Sequence, residues 1–167
     1  MTNPGRVGDE SAELSLRTVM SCFPTGVTIV ATRDADGQPR GLTVNSFTSV
    51  SLDPPLVLVC INRHANSHDP LLAAGGFAVS ILSAGQAEIA GRFAKRPSEG
   101  RFEGVEWRPA PSGSPVLAGS TAWLDCVVHE VVTAGDHTLI LARAVSGEWT
   151  EEPALLFHRG VLGPVGG

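Results

Sequence analysis

A run of small polar side chains between residues 41 and 52 offers the densest ligand chemistry in this sequence. The segment reads GLTVNSFTSVSL, and in a β-strand its alternate residues would share one face. The odd positions then present Thr43, Asn45, Phe47, Ser49 and Ser51. Short hydroxyl and amide groups of this kind can bind the edge of a heteroaromatic ring or a phosphate. An ordinary solvent-facing Ser/Thr strand fits the same pattern, and patterning alone slightly favours that second interpretation.

Histidines provide the other polar candidates. His137 follows Gly135 and Asp136 between two long apolar segments, where a Gly-Asp pair is common in turns and needs no function. A ring nitrogen at such a turn could instead orient a ligand or stabilise developing charge. His64 and His68 are four residues apart, a spacing that can bind a metal on a helix. Because no third ligand completes a recognised pattern, we expect surface histidines and no metal site.

Hydrophobic periodicity and turn residues predict the elements that must position these side chains. Pro24 ends the first helix, Asp53-Pro54-Pro55 ends a strand, and Ser83 with Gln86 forms a capping box. The apolar run at 56–61 predicts a strand buried on both faces, and 96–119 reads as irregular surface structure. The predicted helices cover 11–23, 66–73 (with Asn66 or Ser67 as cap) and 83–93, and the predicted strands 25–31, 40–52, 56–61, 77–82, 122–133, 137–149 and 154–157.

This order of elements predicts a mainly β fold. Strands follow one another through tight turns with only a few short helices, which favours an antiparallel barrel with helical decoration. A doubly wound sheet would need a helix between nearly every pair of strands. We expect one domain over residues 11–167 and a disordered N-terminal extension over residues 1–10.

Composition excludes several classes of protein. The chain has 167 residues, a net charge of -5 and no basic run, so we expect no nucleic-acid partner. Residues 1–10 lack the apolar segment of a signal peptide, and no stretch is long enough to span a membrane. Cys22, Cys60 and Cys126 are odd in number and widely spaced. They predict buried reduced thiols and a cytoplasmic location.

Several stretches, taken in order, resemble the flavin reductase domain family, the short-chain NAD(P)H:flavin oxidoreductases. They are Phe23-Pro-Thr-Gly-Val27, Leu42 to Leu52 with Pro54-Pro-Leu-Val-Leu58, Gly135-Asp-His137 and Phe157-His-Arg-Gly160. The resemblance runs from about Leu16 to Gly160, nearly the whole chain. No single motif decides it, but the set in this order is specific.

The resemblance implies a split β-barrel of the Greek-key type, assembled as a homodimer with flavin bound near the subunit interface. It implies that the flavin ring and ribityl chain are lined by Thr43, Val44, Asn45, Ser46, Ser49, Val50 and Ser51. The ribityl–phosphate part would be held by Cys60, Ile61, Asn62 and Ser67, and a second phosphate contact by Phe93, Ala94 and Lys95. Without the resemblance, Lys95 is more simply a solvated lysine at a helix end.

The same resemblance implies that His137 lies beside the nicotinamide and the flavin as the catalytic residue, with His158 and Arg159 contacting the nicotinamide nucleotide. The reaction would transfer hydride from NADH, or less favourably NADPH, to FAD or FMN. The reduced flavin would then pass to a partner flavin-dependent monooxygenase. No G-x-G-x-x-G unit is present, so the nicotinamide would bind without a Rossmann domain.

Two other functions stay open at this point. A split-barrel flavin oxidase would keep its flavin and oxidise a bound organic substrate. A flavin-binding or redox-sensing module would bind flavin without catalysis and would have no nicotinamide site.

Overall fold

Short helices and many strands make up the part of the chain that the structure describes. The structure, a computed structural model, describes residues 12–95 and 100–164, so the extension predicted at 1–10 lies outside the described residues. The helices are α1 (Ala12–Ser21), α2 (His68–Ala74) and α3 (Ala87–Ala94), the last preceded by a 3-10 turn at Ala84–Gln86. The strands are β1 (Thr25–Gly26), β2 (Thr28–Arg33), β3 (Pro39–Val44), β4 (Phe47–Leu52), β5 (Pro55–Asn62), β6 (Gly76–Ile81), β7 (Trp107–Pro109), β8 (Pro115–Leu117), β9 (Ala122–Ala134), β10 (His137–Trp149), β11 (Leu155–His158) and β12 (Val161–Pro164).

An antiparallel sheet of seven strands forms the body of the protein, in the order β3-β2-β6-β9-β10-β5-β4. A three-stranded sheet, β1-β11-β12, lies beside it, and β7 pairs with β8 in a short hairpin. The mainly β fold with a few short helices is therefore confirmed. The hairpin of β7 and β8 falls within 96–119, where the sequence predicts only irregular structure, and β12 is a strand that the sequence analysis does not predict.

The chain passes from one edge of the large sheet to the other within two residues. β3 and β4 are its outer strands, yet only Asn45 and Ser46 separate them. Seven strands about 4.8 Å apart would place these edges roughly 29 Å apart in a flat sheet. Three residue steps span at most about 11 Å. The sheet therefore curls until its edges meet at a seam, which confirms the predicted split β-barrel.

This seam explains why the single strand predicted over 40–52 is wrong. Asn45 and Ser46 leave one edge strand and begin the other, and a bulge follows between Ser49 and Ser51. Both features interrupt the two-residue alternation on which the shared polar face was predicted. The odd residues of this segment therefore do not form one continuous face.

The two largest apolar cores of the described residues lie on opposite sides of the sheet. Inside the barrel, Val59, Phe77 and Ile140 are fully buried; on the other side, Ile29 and Phe93 belong to a second core beneath α3. The structure corrects one expectation about which strand is covered on both faces. In β5 only alternate residues are buried, whereas β2 is buried along five consecutive positions because α3 and the small sheet cover its outer face.

Close packing at Gly147 gives a test of the barrel wall. A Cβ on Gly147 would lie 2.6 Å from the main-chain oxygen of Trp123 and 2.8 Å from a methyl carbon of Leu124. Because the first of these atoms is backbone in the neighbouring strand, Gly147→Ala should lower the free energy of unfolding by about 1–3 kcal/mol. Urea denaturation followed by tryptophan fluorescence measures this loss. The matched control Gly163→Ala, whose Cβ would meet no atom within 4 Å, should change stability by less than about 0.5 kcal/mol.

Candidate functional site

The seam residues are fixed beside the end of β5. The Cys60 N–H donates to the Ser46 carbonyl oxygen at 3.2 Å, and the Ser46 Oγ donates to the Cys60 carbonyl oxygen at 2.9 Å. Asn45 and Ser46 are both exposed. The pair of bonds therefore presents two small polar side chains at the surface of the barrel while their backbone is held still.

A cavity of about 320 Å³ opens next to the seam. Its volume lies at the low end of the roughly 300–1,000 Å³ found for pockets that bind small molecules. Several separate parts of the chain line it: the residue just before β2, the end of β3 with the seam, one face of α3, and the β11–β12 hairpin. The lining residues are Val27, Thr43, Asn45, Ala90, Gly91, Ala94, Phe157, Gly160 and Leu162.

Small residues on α3 create this space. Ala90, Gly91 and Ala94 face the cavity, and a Cβ on Gly91 would meet no atom within 4 Å. The helix is fastened to the barrel wall by Thr43, whose Oγ1 donates to the Ala90 carbonyl oxygen at 2.7 Å. Since that bond uses the hydroxyl hydrogen, Thr43 has only acceptor capacity left for a ligand.

A second polar group, the turn at Asp136 and His137, lies beside the same end of β5. His137 pairs with Asn62 across the β5–β10 ladder, and the Arg63 N–H donates to the Asp136 carbonyl oxygen at 2.9 Å. Because Cys60 is beside Ser46 and Asn62 beside His137, a continuous surface runs from the seam along the end of β5 to the histidine. The ring of His137 is partly exposed on this surface, with 41% of its side chain accessible.

Asp136 contacts the His137 ring directly. Its Oδ1 lies 2.8 Å from Nδ1 of His137. The hydrogen bond from His137 holds the pKa of the Asp136 carboxyl below its usual value. The sequence analysis includes Asp136 in the Gly135-Asp-His137 stretch but gives it no role of its own, because a Gly-Asp turn needs no function to explain it.

The tip of the β11–β12 hairpin carries the two other predicted nicotinamide contacts, His158 and Arg159, and both are exposed. Arg159 has a φ of +49°, the only positive φ of a non-glycine residue in the described chain. Its N–H donates to the Ser21 carbonyl oxygen at 2.9 Å, and its guanidinium lies 3.6 Å from the Cys22 sulfur. The hairpin is therefore anchored to the end of α1 at the mouth of the cavity.

Four of the predicted flavin contacts have buried side chains. Val44, Ile61 and Phe93 belong to the apolar cores, and the Oγ of Ser67 donates to the Gly41 carbonyl oxygen at 3.1 Å instead of capping α2. Their assignment to a ligand stays a prediction, and it can involve only main-chain atoms. The sequence analysis missed two other lining residues on this helix, Ala90 and Gly91, although both are small residues three to four positions before the predicted contact Ala94.

The remaining predicted flavin contacts differ in whether they line the cavity. Ala94 lines the cavity and Lys95 is exposed at the C-terminal end of α3. Ser49, Val50 and Ser51 lie at the bulge on β4 and are not cavity-lining residues. Their roles in flavin binding stay predictions.

The structure corrects the environment of two side-chain types. His68 is buried, with Nδ1 2.7 Å from Asp69 Oδ1 and Nε2 2.9 Å from Thr138 Oγ1, so it is no surface histidine. Among the cysteines only Cys126 is buried, and burial raises the pKa of its thiol to about 12; Cys22 is exposed and Cys60 half-buried. In residues 12–95 and 100–164, no cluster of three or more His, Cys, Asp or Glu side chains could hold a metal ion.

None of the helices described here has the length and apolarity needed to cross a lipid bilayer.

Comparison with known proteins adds an independent line of evidence. A family model, the flavin reductase like domain, matches residues 20–166. An NADH-dependent FAD reductase from Streptomyces globisporus is 41% identical over 162 residues, covering 94% of this chain and 88% of that protein. The reductase subunit of a stachydrine N-demethylase from Rhizobium meliloti is 43% identical over 146 residues, covering 87% of this chain.

Solved structures agree with these matches. The Streptomyces globisporus NADH:FAD oxidoreductase superposes with a TM-score of 0.88 at 40% identity, covering 96% of this chain and 97% of that one. The same oxidoreductase in complex with NAD and FAD fragments gives a TM-score of 0.87, covering 95% of each chain. This chain spans 63% of the stachydrine N-demethylase subunit and 47% of a probable flavin reductase from Rhizobium meliloti.

The left-handed backbone at Arg159 yields a prediction about stability. A side chain with a Cβ is disfavoured at this φ, whereas glycine adopts it freely. Arg159→Gly should therefore be more stable to unfolding than Arg159→Ala by about 1 kcal/mol. Thermal denaturation of the two variants measures the difference, and since both lack the guanidinium, it isolates the backbone. Equal stabilities would contradict a strained turn.

Proposed function

Because the chain belongs to the flavin reductase like domain family, we propose that it oxidises NADH, reduces FAD and releases the reduced flavin to a separate monooxygenase. The observation that carries the proposal is the cavity beside the seam, from which Cys60 and Asn62 of β5 lead to His137. Similar proteins are named NADH-dependent FAD reductase and monooxygenase reductase subunit. FMN and NADPH are the alternatives that the kinetic assay below distinguishes.

The residues around the cavity fit a flavin. An isoalloxazine ring is a flat apolar body with a polar pyrimidine edge. The cavity offers an apolar wall from Phe157, Leu162 and the small residues of α3. Asn45 supplies a short hydrogen-bonding side chain in the lining, and the next residue, Ser46, is fixed by its two bonds to Cys60. Thr43 adds an acceptor, since its hydrogen is already donated to α3.

The nicotinamide is assigned to the side of this surface that holds His137. Hydride transfer from nicotinamide to flavin is chemistry that the two cofactors supply when bound. The task of the protein is then to hold two rings in contact with the correct orientation. His137 would orient the nicotinamide, and His158 and Arg159 at the hairpin tip would contact the rest of the dinucleotide. No acid–base step by the protein is required.

Turnover of NADH with free flavin tests the proposal. Purified protein mixed with NADH and FAD should oxidise NADH, followed by loss of the nicotinamide absorbance, and the rate should depend on added flavin. Parallel assays with FMN, riboflavin and NADPH determine the preferred pair. Protein that keeps a yellow colour through dialysis and does not turn over NADH would contradict the reductase and favour a flavin oxidase.

His137→Ala tests the position of the nicotinamide. Loss of one hydrogen bond to a ligand costs about 1–1.5 kcal/mol, so kcat/KM for NADH should fall roughly tenfold. FAD affinity, measured by fluorescence quenching, should change less than about twofold. Equal losses in both quantities would place the histidine elsewhere.

A homodimer is part of the same proposal. The outer face of the barrel wall formed by β5, β10 and β9 is aliphatic: Leu58 pairs with Leu141, and Leu139 lies between Cys60 and Val132. These side chains are only partly buried in one chain, and Val132 keeps 46% of its surface exposed. A continuous apolar sheet face of this kind is typical of a protein interface.

A cytoplasmic location, with its supply of NADH and its reducing conditions for the free cysteines, is also proposed.

Light scattering tests the assembly. The protein should have the mass of two chains, and Leu141→Glu should shift it toward one chain, because a charged group would be desolvated in the interface. Circular dichroism checks that the variant keeps its fold. A single-chain mass for the unaltered protein at all concentrations would contradict the dimer.

A further inference from the structure

Asp136 determines which nitrogen of the His137 ring carries a hydrogen. A neutral imidazole has one donor nitrogen and one acceptor nitrogen, and a carboxylate can only accept. With Asp136 Oδ1 2.8 Å from Nδ1, the hydrogen must lie on Nδ1. The other nitrogen, Nε2, is then an acceptor at the partly exposed edge of the ring.

The chain contains a second pair with the same chemistry. Nδ1 of His68 lies 2.7 Å from Asp69 Oδ1, and its Nε2 lies 2.9 Å from the Thr138 hydroxyl. There the carboxylate again takes the Nδ1 hydrogen, so Nε2 accepts from a hydroxyl group. By the same reasoning, Nε2 of His137 in the exposed pair can accept a hydrogen bond from a ligand.

The backbone of the turn is held without the Asp136 carboxylate. His137 pairs with Asn62 and Ala134 in the strand ladders, and the Arg63 N–H binds the main-chain oxygen of Asp136. The next residue, Thr138, is fixed from inside the barrel by His68. Removal of the carboxylate should therefore leave the turn in place and change only the ring.

We propose that Asp136 is a positioning residue that keeps Nε2 of His137 as an acceptor for the amide N–H of the nicotinamide carboxamide. The inference rests on the proposed function and deepens it, because it assigns a direction to the hydrogen bond. A nicotinamide carries a donor N–H₂ at this point. An analogue with a methyl ketone in place of the amide has no such donor, so the site discriminates against it.

Nuclear magnetic resonance tests the ring state without any turnover. Nitrogen-15 shifts and ring couplings of the neutral imidazole, assigned with His137→Gln, should place the hydrogen on Nδ1 in the unaltered protein. Asp136→Ala should move it largely to Nε2, whereas Asp69→Asn, the matched control on the buried pair, should leave the His137 signals unchanged. An Nε2 hydrogen in the unaltered protein, or no change in Asp136→Ala, would overturn the proposal.

Kinetics with a second dinucleotide test the consequence for specificity. The ratio of kcat/KM for NADH to that for reduced 3-acetylpyridine adenine dinucleotide should fall roughly tenfold in Asp136→Ala, the effect of one hydrogen bond. Asp136→Asn keeps an oxygen that can accept the Nδ1 hydrogen and should retain most of the preference. A structural role would reduce both rates equally and leave the ratio unchanged, which would overturn the proposal.

The resonance experiment and the kinetic experiment together distinguish a failure of this inference from a failure of the proposed function. A protein that has the Nδ1 hydrogen but does not oxidise NADH would refute the reductase and the carboxamide contact, while the effect of Asp136 on the ring would stand. A protein that oxidises NADH with an unchanged ratio in Asp136→Ala would refute the positioning role alone.

Discussion

A connection of two residues between the outermost strands of a seven-stranded sheet constrains the whole molecule. Asn45 and Ser46 are too short a link for a flat sheet, so the sheet must close on itself. Closure places the end of β5 against the link, and the two bonds between Ser46 and Cys60 hold it there. The same constraint that shapes the barrel therefore produces a rigid, exposed polar edge.

The cavity also depends on the layer formed by α3 and the small sheet, which covers the outer face of β2 but leaves space beside the seam. β2 is buried on both faces because α3 and the small sheet pack against its outer side through Phe93 and Leu155. Where α3 reaches the seam its residues become small and leave the cavity open, while the bond from Thr43 to Ala90 fastens the helix to the barrel wall. A stable core and an open cavity thus share one helix, with large side chains on one face and small ones on another.

Two neighbouring histidine–aspartate pairs make the same Nδ1–carboxylate contact, but their locations give them different roles. His68 and Asp69 act inside the barrel, where the ring binds Thr138 and ties α2 to β10. Asp136 and His137 lie at the surface end of the same strand, where the second ring nitrogen has access to a ligand. Their bond lengths differ by only 0.1 Å, from 2.7 to 2.8 Å.

Local sequence determined the strands, the turns and the mainly β class, because alternation of β-branched residues and Gly, Pro or Asp turns acts over a few residues. It predicted β9 and β10 to within a residue and the capping box at Ser83, whose N–H binds Gln86. It did not determine that 40–52 is two strands, that β2 rather than β5 is covered on both faces, or that Ser67 is buried. Those features depend on residues far apart in the chain, such as Ser67 with Gly41 and Thr43 with Ala90, and no local pattern records which segments meet when the sheet closes.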